Sequence, residues 1–466
     1  MGRPAGKRAL VLGGSVAGLL TARVLAEHFH DVVVVDRDRL TGVRGPRRGV
    51  PQGRHAHGLL ARGHQIIEEL FPGFTADLRA AGALTGDLGE LRWFFHGRRL
   101  RPARTGLVAV AATRPLLEGL IRARVEALEN VTLLDECEAT GLITTRDRGR
   151  VIGARLRRDG VRDGAETELR ADLVVDATGR GSRTPARLAG LGYGPPPEDR
   201  VRIDLTYTTR YYRLDMDDPL GGDQSINPVS GPATPRGAFF SELENGLFIL
   251  SLTGVLGDRP PSDPDGFTRF ARSLPVPDVY EVIRDADPLD LPVAFHYPAS
   301  VRRRYERLTR FPHGLLVIGD ALCSFNPVYG QGMTVAALEA LALRRHLRRG
   351  AVPGAREFFR DAARIVAVAW DISAGGDLAH PRVAGRRPLR TRVGNAYVAR
   401  LHAAASRDPE LTRAFMRVAG LVDPPRALMS PGVVLRVLRH AGAAGRAAPA
   451  PAPGRHRTRT TDHPSA

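Results

Sequence analysis

The segment from Gly314 to Met333 constrains this chain more than any other, because an apolar run ends in Gly-Asp and a turn rich in glycine follows. The apolar run predicts a buried strand, and helical spacing begins near Thr334. Such a strand delivers Asp320 to the mouth of a turn whose backbone N–H groups and helix N-terminus face a ligand. The arrangement suits a ligand with hydroxyl groups for the carboxylate and a developing negative charge for the helix end.

The N-terminus carries a second pattern, a β–α–β unit. An apolar run at 8–12 predicts a buried strand, the turn Gly13–Gly18 follows, and the apolar run Val32–Val35 ends at Asp36. A dinucleotide turn needs glycines for a tight bend and a close approach to pyrophosphate, and an acid about twenty residues later for the ribose hydroxyls. Ser15 stands where the middle glycine is usual. We therefore predict a dinucleotide site, with an ordinary tight strand–helix turn as the alternative.

Composition narrows the class of protein. The 466 residues are 43% hydrophobic, which is enough for a large buried core in two interleaved lobes. The formal net charge of +18 comes almost entirely from arginine, since Lys7 is the sole lysine, and basic patches interleaved with aromatics are not found. Nucleic-acid binding is therefore not expected.

Cysteine content and hydropathy indicate the compartment. The two cysteines give neither a disulfide framework nor the spacing of a metal site, so a reducing, cytoplasmic setting is expected. No transmembrane segment is expected, because no run outside the N-terminal β–α–β unit supplies roughly eighteen uninterrupted apolar residues.

The order of predicted elements gives an α/β fold class, with a Rossmann-like lobe interleaved with a sheet-rich lobe and followed by a helical C-terminal region. Alternation of apolar and polar residues from Val201 to Tyr211 predicts a half-buried antiparallel strand. The expected domains are a dinucleotide-binding lobe at 1–193 that returns at 298–375, a substrate lobe at 194–297, a helical region at 376–440 and a disordered tail at 441–466.

A third motif, Leu173-Val-Val-Asp176-Ala-Thr-Gly179, ends another buried strand at a small-residue turn. The three motifs in this order resemble the FAD-dependent monooxygenases of the para-hydroxybenzoate hydroxylase-like superfamily, over roughly residues 8–374. The runs 49–59, which contains Arg54-His55-Ala-His57, and 325–333 are similar to the actinobacterial branch of polyether-forming epoxidases, relatives of squalene monooxygenase.

The resemblance implies bound FAD and activation of O2 through a flavin hydroperoxide. It implies insertion of one oxygen atom, by epoxidation or hydroxylation, into a lipophilic polyketide or terpenoid-like intermediate of secondary metabolism. Electrons would come from NAD(P)H, directly or through a flavin reductase. The residues that the resemblance assigns to the cofactor are Gly13, Gly14, Ser15, Val16, Ala17, Gly18, Asp36, Arg37, Arg114, Asp320, Pro327, Gly330, Gly332 and Met333.

No catalytic residue beyond the flavin itself is assigned. His55 and His57 lie on the loop that the resemblance puts beside the flavin, and both a catalytic role and a role in ordering the loop stay open. Metal binding lacks a second ligand cluster, so no metal is expected. Four residues are candidates to line a substrate pocket, with core packing as the alternative for each: Phe239, Phe240, Phe248 and Phe295.

Competing functions differ in the residues that they require. Flavin halogenases, as that family is known, use an active-site lysine and a Trp-x-Trp motif, whereas Lys7 precedes the first strand and Trp93 and Trp370 stand alone. An FAD-dependent alkene reductase of the geranylgeranyl reductase type stays open, as does a non-catalytic flavin-binding protein. Oxygen uptake during turnover separates the monooxygenase from the reductase.

Overall fold

The computed structural model describes residues 5–158, 166–214, 218–350 and 352–444. The strands within these residues are β1 (Gly6–Leu12), β2 (Phe29–Val35), β3 (Leu84–Asp87), β4 (Arg92–Phe95), β5 (Arg98–Arg99), β6 (Val108–Ala111), β7 (Val131–Leu134), β8 (Cys137–Thr144), β9 (Val151–Arg158), β10 (Glu166–Arg170), β11 (Leu173–Asp176), β12 (Glu198–Arg213), β13 (Ser225–Val229), β14 (Arg236–Glu242), β15 (Phe248–Gly254), β16 (Asp287–Pro288), β17 (Val293–Arg303), β18 (Leu315–Val317) and β19 (Cys323–Ser324).

The helices in the same residues are α1 (Val16–Ala26), α2 (Ala61–Leu70), α3 (Phe74–Ala80), α4 (Arg114–Glu126), α5 (Thr184–Gly190), α6 (Pro264–Arg272), α7 (Asp278–Ile283), α8 (Gly332–Leu347), α9 (Ala355–Asp377), α10 (Leu389–Ala405), α11 (Pro409–Ala419) and α12 (Pro431–Ala444). None of these helices combines the length and apolar composition that crossing a bilayer requires.

A five-stranded parallel sheet, in the order β18-β11-β1-β2-β7, forms the first lobe. Its central strands are apolar and buried on both faces, as a parallel sheet covered by helices requires. The ends of four strands align, since Leu12 is in register with Val35 and Asp176, and Asp176 is in register with Val317. The turns that follow these strands therefore meet at the carboxyl edge of the sheet, where such folds bind ligands.

A nine-stranded sheet forms the second lobe, with main order β19-β17-β12-β15-β14-β13-β4-β5 and β16 paired to β12. The predicted alternation holds in β12 up to Leu205 and then gives way to continuous burial, because both faces of the sheet are covered there. One face packs against α6 and α7 in an apolar cluster that includes Phe240, Leu252, Phe267 and Val279. The other face points toward the loop that carries His55.

The predicted α/β fold class with a helical C-terminal region is confirmed. The structure differs from the sequence-based prediction only in the placement of individual elements. The nine-stranded sheet includes β4 and β5, although residues 92–99 lie within the range predicted for the first lobe. β4 pairs with β13, a strand more than a hundred residues away, and local patterns do not reveal such a pairing. The helices of the C-terminal region begin at Leu389, inside the range 376–440 predicted for them. The domain bounds stay a prediction, and the tail beyond residue 444 lies outside the described residues.

Candidate cofactor-binding and active site

The first turn, between β1 and α1, has a backbone that requires glycine at two positions. Gly13 has φ +105°, and a Cβ added to Gly18 would lie 1.8 Å from the Gly13 carbonyl oxygen. Ser15 is the N-cap of α1, yet its side chain does not cap the helix. The N–H groups of Val16 and Ala17, which have no partner within the helix, therefore remain for a ligand, and this is the arrangement that binds phosphate.

Asp36, directly after β2, holds the first turn in place. Its Oδ2 accepts from the Gly14 N–H at 2.6 Å and its Oδ1 accepts from the Asp38 N–H at 2.8 Å. Burial raises the pKa of Asp36, against the opposing charge of Arg47 and these two donors. Arg37 beside it is exposed. Both oxygens of the Asp36 carboxylate thus accept hydrogen bonds from the backbone, and binding of a ribose by Asp36 stays a prediction.

A buried ion-pair cluster lies behind the first turn, centred on Glu118 of α4. Glu118 accepts from Arg47 Nη2 at 2.5 Å, from Arg114 Nη2 at 3.3 Å and from Ser15 Oγ at 2.7 Å. Burial by itself would raise the pKa of Glu118, but Arg114 and Arg47 outweigh burial and the pKa is lowered. Sequence reasoning selected Arg114 and Ser15 but missed Glu118, whose only local signal is its position four residues after Arg114.

The return turn, after β18, packs directly on the first turn. Gly319 has φ +68°, and a Cβ there would lie 2.8 Å from the Ala17 side chain. Asp320 follows, and its carboxylate makes no hydrogen bond with any residue in the described part of the chain. Burial raises the pKa of Asp320, with Arg180 and Arg114 as the largest opposing charges. An acceptor group to which no described residue donates therefore lies where the two turns meet.

Helix α8 begins beside this carboxylate. A Cβ added to Gly332 would meet only Asp320 Oδ1, at 3.6 Å, so the helix N-terminus at Gly332 and Met333 approaches Asp320 closely. Gly330, with φ +63°, ends the short 3-10 helix Pro327–Tyr329 that precedes α8. Asp320 and Gly332 of the predicted set are therefore brought together, and Gly319 joins their turn to Ala17 of the first turn, whereas Gly330 lies beside Gly58 and Leu60.

Two further carboxyl groups, both missed from the sequence, fix the return turn from behind. Glu339 in α8 accepts from the Gly319 N–H at 2.7 Å, and burial raises its pKa to about 8. Asp377 at the end of α9 accepts from Asn326 Nδ2 at 2.9 Å, and burial raises its pKa to about 7. Both residues come from helices distant in sequence from the strand they support, so no short motif marks them.

The third motif forms a structural turn. Asp176, which is fully buried, accepts from the hydroxyl groups of Thr178 at 2.6 Å, Ser182 at 2.5 Å and Thr184 at 2.6 Å. The same turn carries Arg180, whose guanidinium lies 4.6 Å from the centre of the Tyr297 ring in the second lobe. This motif therefore positions Arg180 between the Asp320 turn and the nine-stranded sheet.

His55 lies at the inner face of the nine-stranded sheet. Its ring packs edge-on against Tyr207, with centroids 4.7 Å apart, and against Phe295, with centroids 5.7 Å apart. Its Nδ1 lies 2.8 Å from Thr209 Oγ1. Burial lowers the pKa of His55 to about 4, so the ring is neutral at physiological pH.

His57 faces the first lobe instead. Its Nδ1 lies 2.9 Å from the carbonyl oxygen of His55, and burial, with the nearby charge of Arg114, lowers its pKa to about 3. Both histidines are thus neutral, and among the described residues no group of three or more His, Cys, Asp and Glu side chains could hold a metal ion.

The structure brings together only part of the predicted phenylalanine pocket. Phe295 lies beside His55, and the strand register puts Phe239 on the same face of the sheet. Phe240 and Phe248 lie on the opposite face, in the apolar cluster under α6 and α7. The prediction that these two residues line a pocket is wrong, because successive strand residues point to opposite faces.

The chain is 34% identical over 451 residues to Protein Rv3254 of Mycobacterium tuberculosis, covering 93% of each chain. It belongs to the same family as that protein. No protein-family model matches the chain.

Several solved structures are similar to this chain. The flavoprotein/dehydrogenase from Cytophaga hutchinsonii matches with a TM-score of 0.67 at 15% identity, covering 95% of this chain and 100% of that one. The flavin-dependent brominase Bmp2 matches with a TM-score of 0.65 at 15% identity, covering 95% and 99%. PqsL of Pseudomonas aeruginosa, described as a probable FAD-dependent monooxygenase, matches with a TM-score of 0.58 at 18% identity, covering 89% and 99%. At these identities the similarity concerns the fold, which is that of flavin-dependent monooxygenases and related flavin enzymes.

Proposed function

We propose that this chain binds FAD across its two glycine turns and is a monooxygenase. The observation that carries the proposal is the Asp320 carboxylate, which lies without a described partner where the turn after β18 meets the turn after β1. An unpaired acceptor in such a place suits the hydroxyl-rich middle of a dinucleotide cofactor. The flavin enzymes among the structural neighbours support the same choice of cofactor.

Each end of the site would hold a different part of FAD. The turn Gly13–Gly18 and the free N–H groups of α1 would bind the pyrophosphate, and Asp36 with Arg37 would lie at the adenosine end. Asp320 would accept from ribityl hydroxyls, and the N-terminus of α8 at Gly332 and Met333 would favour negative charge on the flavin ring. When bound, FAD would supply the reduction of O2 and the transfer of one oxygen atom to the substrate.

The substrate would lie against the inner face of the nine-stranded sheet, beside Phe239 and Phe295. We propose a lipophilic polyketide or terpenoid-like intermediate, following the resemblance to the polyether-epoxidase branch. The chain's own part would be to exclude water and to aim the reacting carbon. NAD(P)H would supply electrons, directly or through a flavin reductase.

The absorption spectrum of the purified protein tests the cofactor. We expect a bound yellow flavin, and we expect Asp320→Ala to lose most of it because the ribityl hydroxyls lose a charged acceptor. Asp285→Ala is the control, since Asp285 is 84% exposed and lies between α7 and β16, outside both turns. A colourless wild type that stays colourless after incubation with FAD would refute the proposal.

The reaction is tested by oxygen uptake. NADPH oxidation coupled to O2 consumption and to an oxygen-containing product, with candidate polyenes, supports a monooxygenase. Reduction of the alkene without O2 consumption would identify an alkene reductase instead. Bound flavin with no turnover, with either NADH or NADPH and an added flavin reductase, would point to a non-catalytic flavin-binding protein.

A further inference from the structure

Three polar side chains form a hydrogen-bonded row on the inner face of the nine-stranded sheet. His55 Nδ1 lies 2.8 Å from Thr209 Oγ1, and Thr209 Oγ1 lies 2.5 Å from Ser251 Oγ. The Ala56 N–H donates to Ser251 Oγ at 3.2 Å. All three side chains are at least 96% buried, with exposures of 3%, 1% and 4%. The cost of leaving a buried hydroxyl without an acceptor therefore constrains where each proton lies.

The direction of the row follows from counting its donors. Ser251 already accepts from a backbone N–H, and Thr209 is the one acceptor for its hydroxyl proton among the described residues. If Ser251 donates to Thr209, then Thr209 donates to His55 Nδ1 and every hydroxyl proton has an acceptor. The reverse direction leaves the Ser251 proton without one. The first arrangement is therefore favoured, and it makes His55 Nδ1 an acceptor.

A neutral imidazole with Nδ1 as acceptor carries its proton on Nε2. The ring is neutral because burial lowers the pKa of His55 to about 4. Nε2 lies on the other edge of the ring from Thr209 and makes no hydrogen bond with any residue that the structure describes. The row thus supplies a donor of fixed direction that has no acceptor among the described residues.

The surroundings of this donor are aromatic. Tyr207 and Phe295 pack against the His55 ring and against each other, with centroids 5.2 Å apart and planes tilted by 31°. Tyr207 also adjoins Arg180 and Tyr297, which lead to the Asp320 turn. A ligand here would meet flat apolar rings and one N–H group, a combination that suits a planar ring bearing an oxygen atom.

We propose that His55 donates a hydrogen bond from Nε2 to a carbonyl or phenolic oxygen of the substrate, with Thr209 and Ser251 as positioning residues that hold its tautomer. This inference rests on the proposed function, since it treats the inner face of the sheet as the substrate face. It narrows the lipophilic substrate to one with a planar, oxygen-bearing ring, such as a phenol or a quinone. An unsubstituted polyene would leave the buried N–H without an acceptor.

The tautomer is tested directly by two-bond 15N–1H correlation spectra of the protein labelled with 15N-histidine, with His55→Gln used to assign the signal. We expect protonated Nε2 and unprotonated Nδ1 in the wild type. Thr209→Val should shift the population toward the Nδ1-protonated form. Thr208→Val is the matched control, because its hydroxyl bonds to the Pro260 carbonyl on the opposite face and should leave the signal unchanged. An Nδ1-protonated wild type would overturn the proposal, and that spectrum requires no variant to fold.

Ligand recognition is tested by calorimetry with 1-naphthol and naphthalene as probes. We expect His55→Phe to weaken 1-naphthol binding about tenfold, the effect of one lost hydrogen bond, and to change naphthalene binding less than twofold. Equal effects on both probes, or no binding of 1-naphthol to the wild type, would overturn the proposal. Neither measurement depends on flavin or turnover. A protein that fails to bind FAD would therefore refute the proposed function in a way distinct from failure of this inference.

Discussion

The two glycine turns of the first lobe use their carboxylates in opposite ways. At the first turn, Asp36 accepts from two backbone N–H groups and Glu118 is paired with two arginines and Ser15. At the return turn, Asp320 has no hydrogen-bond partner in the described part of the chain. Asp36 and Glu118 are therefore committed to partners within the protein, whereas Asp320 is available to a ligand.

This difference separates the two kinds of effect that substitutions should have. Buried groups that are paired within the protein are costly to disturb, because their partners are left without compensation. A carboxylate without a protein partner contributes little to folding, and its loss should be seen in ligand binding. Unfolding measurements on matched variants test this difference between the turns. We expect the largest loss of stability from a change at the backbone of the first turn.

Gly18→Ala should have the largest effect. The added Cβ would lie 1.8 Å from the Gly13 carbonyl oxygen, and backbone cannot move aside as a flexible side chain can. We expect a loss of more than about 4 kcal/mol in the free energy of unfolding, measured with urea, or no folded protein. Gly394→Ala in α10 is the control, because nothing lies within 4 Å of its Cβ. It should be neutral or slightly stabilising, since alanine favours the helix. Wild-type stability in Gly18→Ala would contradict the described turn.

Glu118→Gln should have the next largest effect, a loss of about 3 kcal/mol in the free energy of unfolding. It removes the ion-pair partner of buried Arg114 and the nearest of the three carboxylates around Arg47. Glu126→Gln, on the same helix and exposed, is the control. The pKa of Glu118 is lowered in the folded state, so its contribution is present at neutral pH and is lost as the pH falls through that lowered value. The difference between wild type and variant should therefore shrink in acid. A difference that grows toward low pH would contradict the ion-pair cluster.

Glu339→Gln should raise the free energy of unfolding, whereas the two preceding substitutions lower it. The pKa of Glu339 rises from 4.5 to about 8 on folding, so wild-type stability should fall as the pH rises between these values. Glutamine keeps an acceptor for the Gly319 N–H and has no proton to lose. The free energy of unfolding of the variant should match that of the wild type in acid and exceed it by about 3 kcal/mol at neutral pH. Thermal unfolding from pH 4 to pH 8, with exposed Glu357→Gln as the control, measures the difference. A constant difference across this range would mean that Glu339 does not titrate as described.

Sequence patterns predicted the parts of this site that depend on local geometry. The glycines of both turns, the strand ends and Asp320 each follow from a strand–turn–helix pattern within about twenty residues. Adjacent residues of a strand point to opposite faces, so Phe239 and Phe240 could not both line one pocket, and the pattern itself contained that correction.

The parts that the sequence did not predict depend on contacts between distant residues. Glu339 supports Gly319 from about two turns into α8, and β4 pairs with β13 across more than a hundred residues. The row from His55 through Thr209 to Ser251 joins a loop to two strands of the other lobe. No periodicity marks such residues, because their roles arise only when the lobes pack together.

Asp36→Asn and Asp320→Asn in the flavin-free protein test the difference between the two turns most directly. We expect these substitutions to have the smallest effects on stability. Asparagine has one side-chain oxygen, so one of the two N–H groups that Asp36 satisfies would lose its acceptor. We expect a loss of about 1 kcal/mol for Asp36→Asn in urea unfolding. Asp320→Asn should leave stability unchanged or slightly raised, because it removes a charge whose burial raises its pKa. Titration with FAD should then show the reverse order, with the weaker binding in Asp320→Asn. Equal stability losses in both variants would mean that the two turns do not divide their carboxylates between folding and binding.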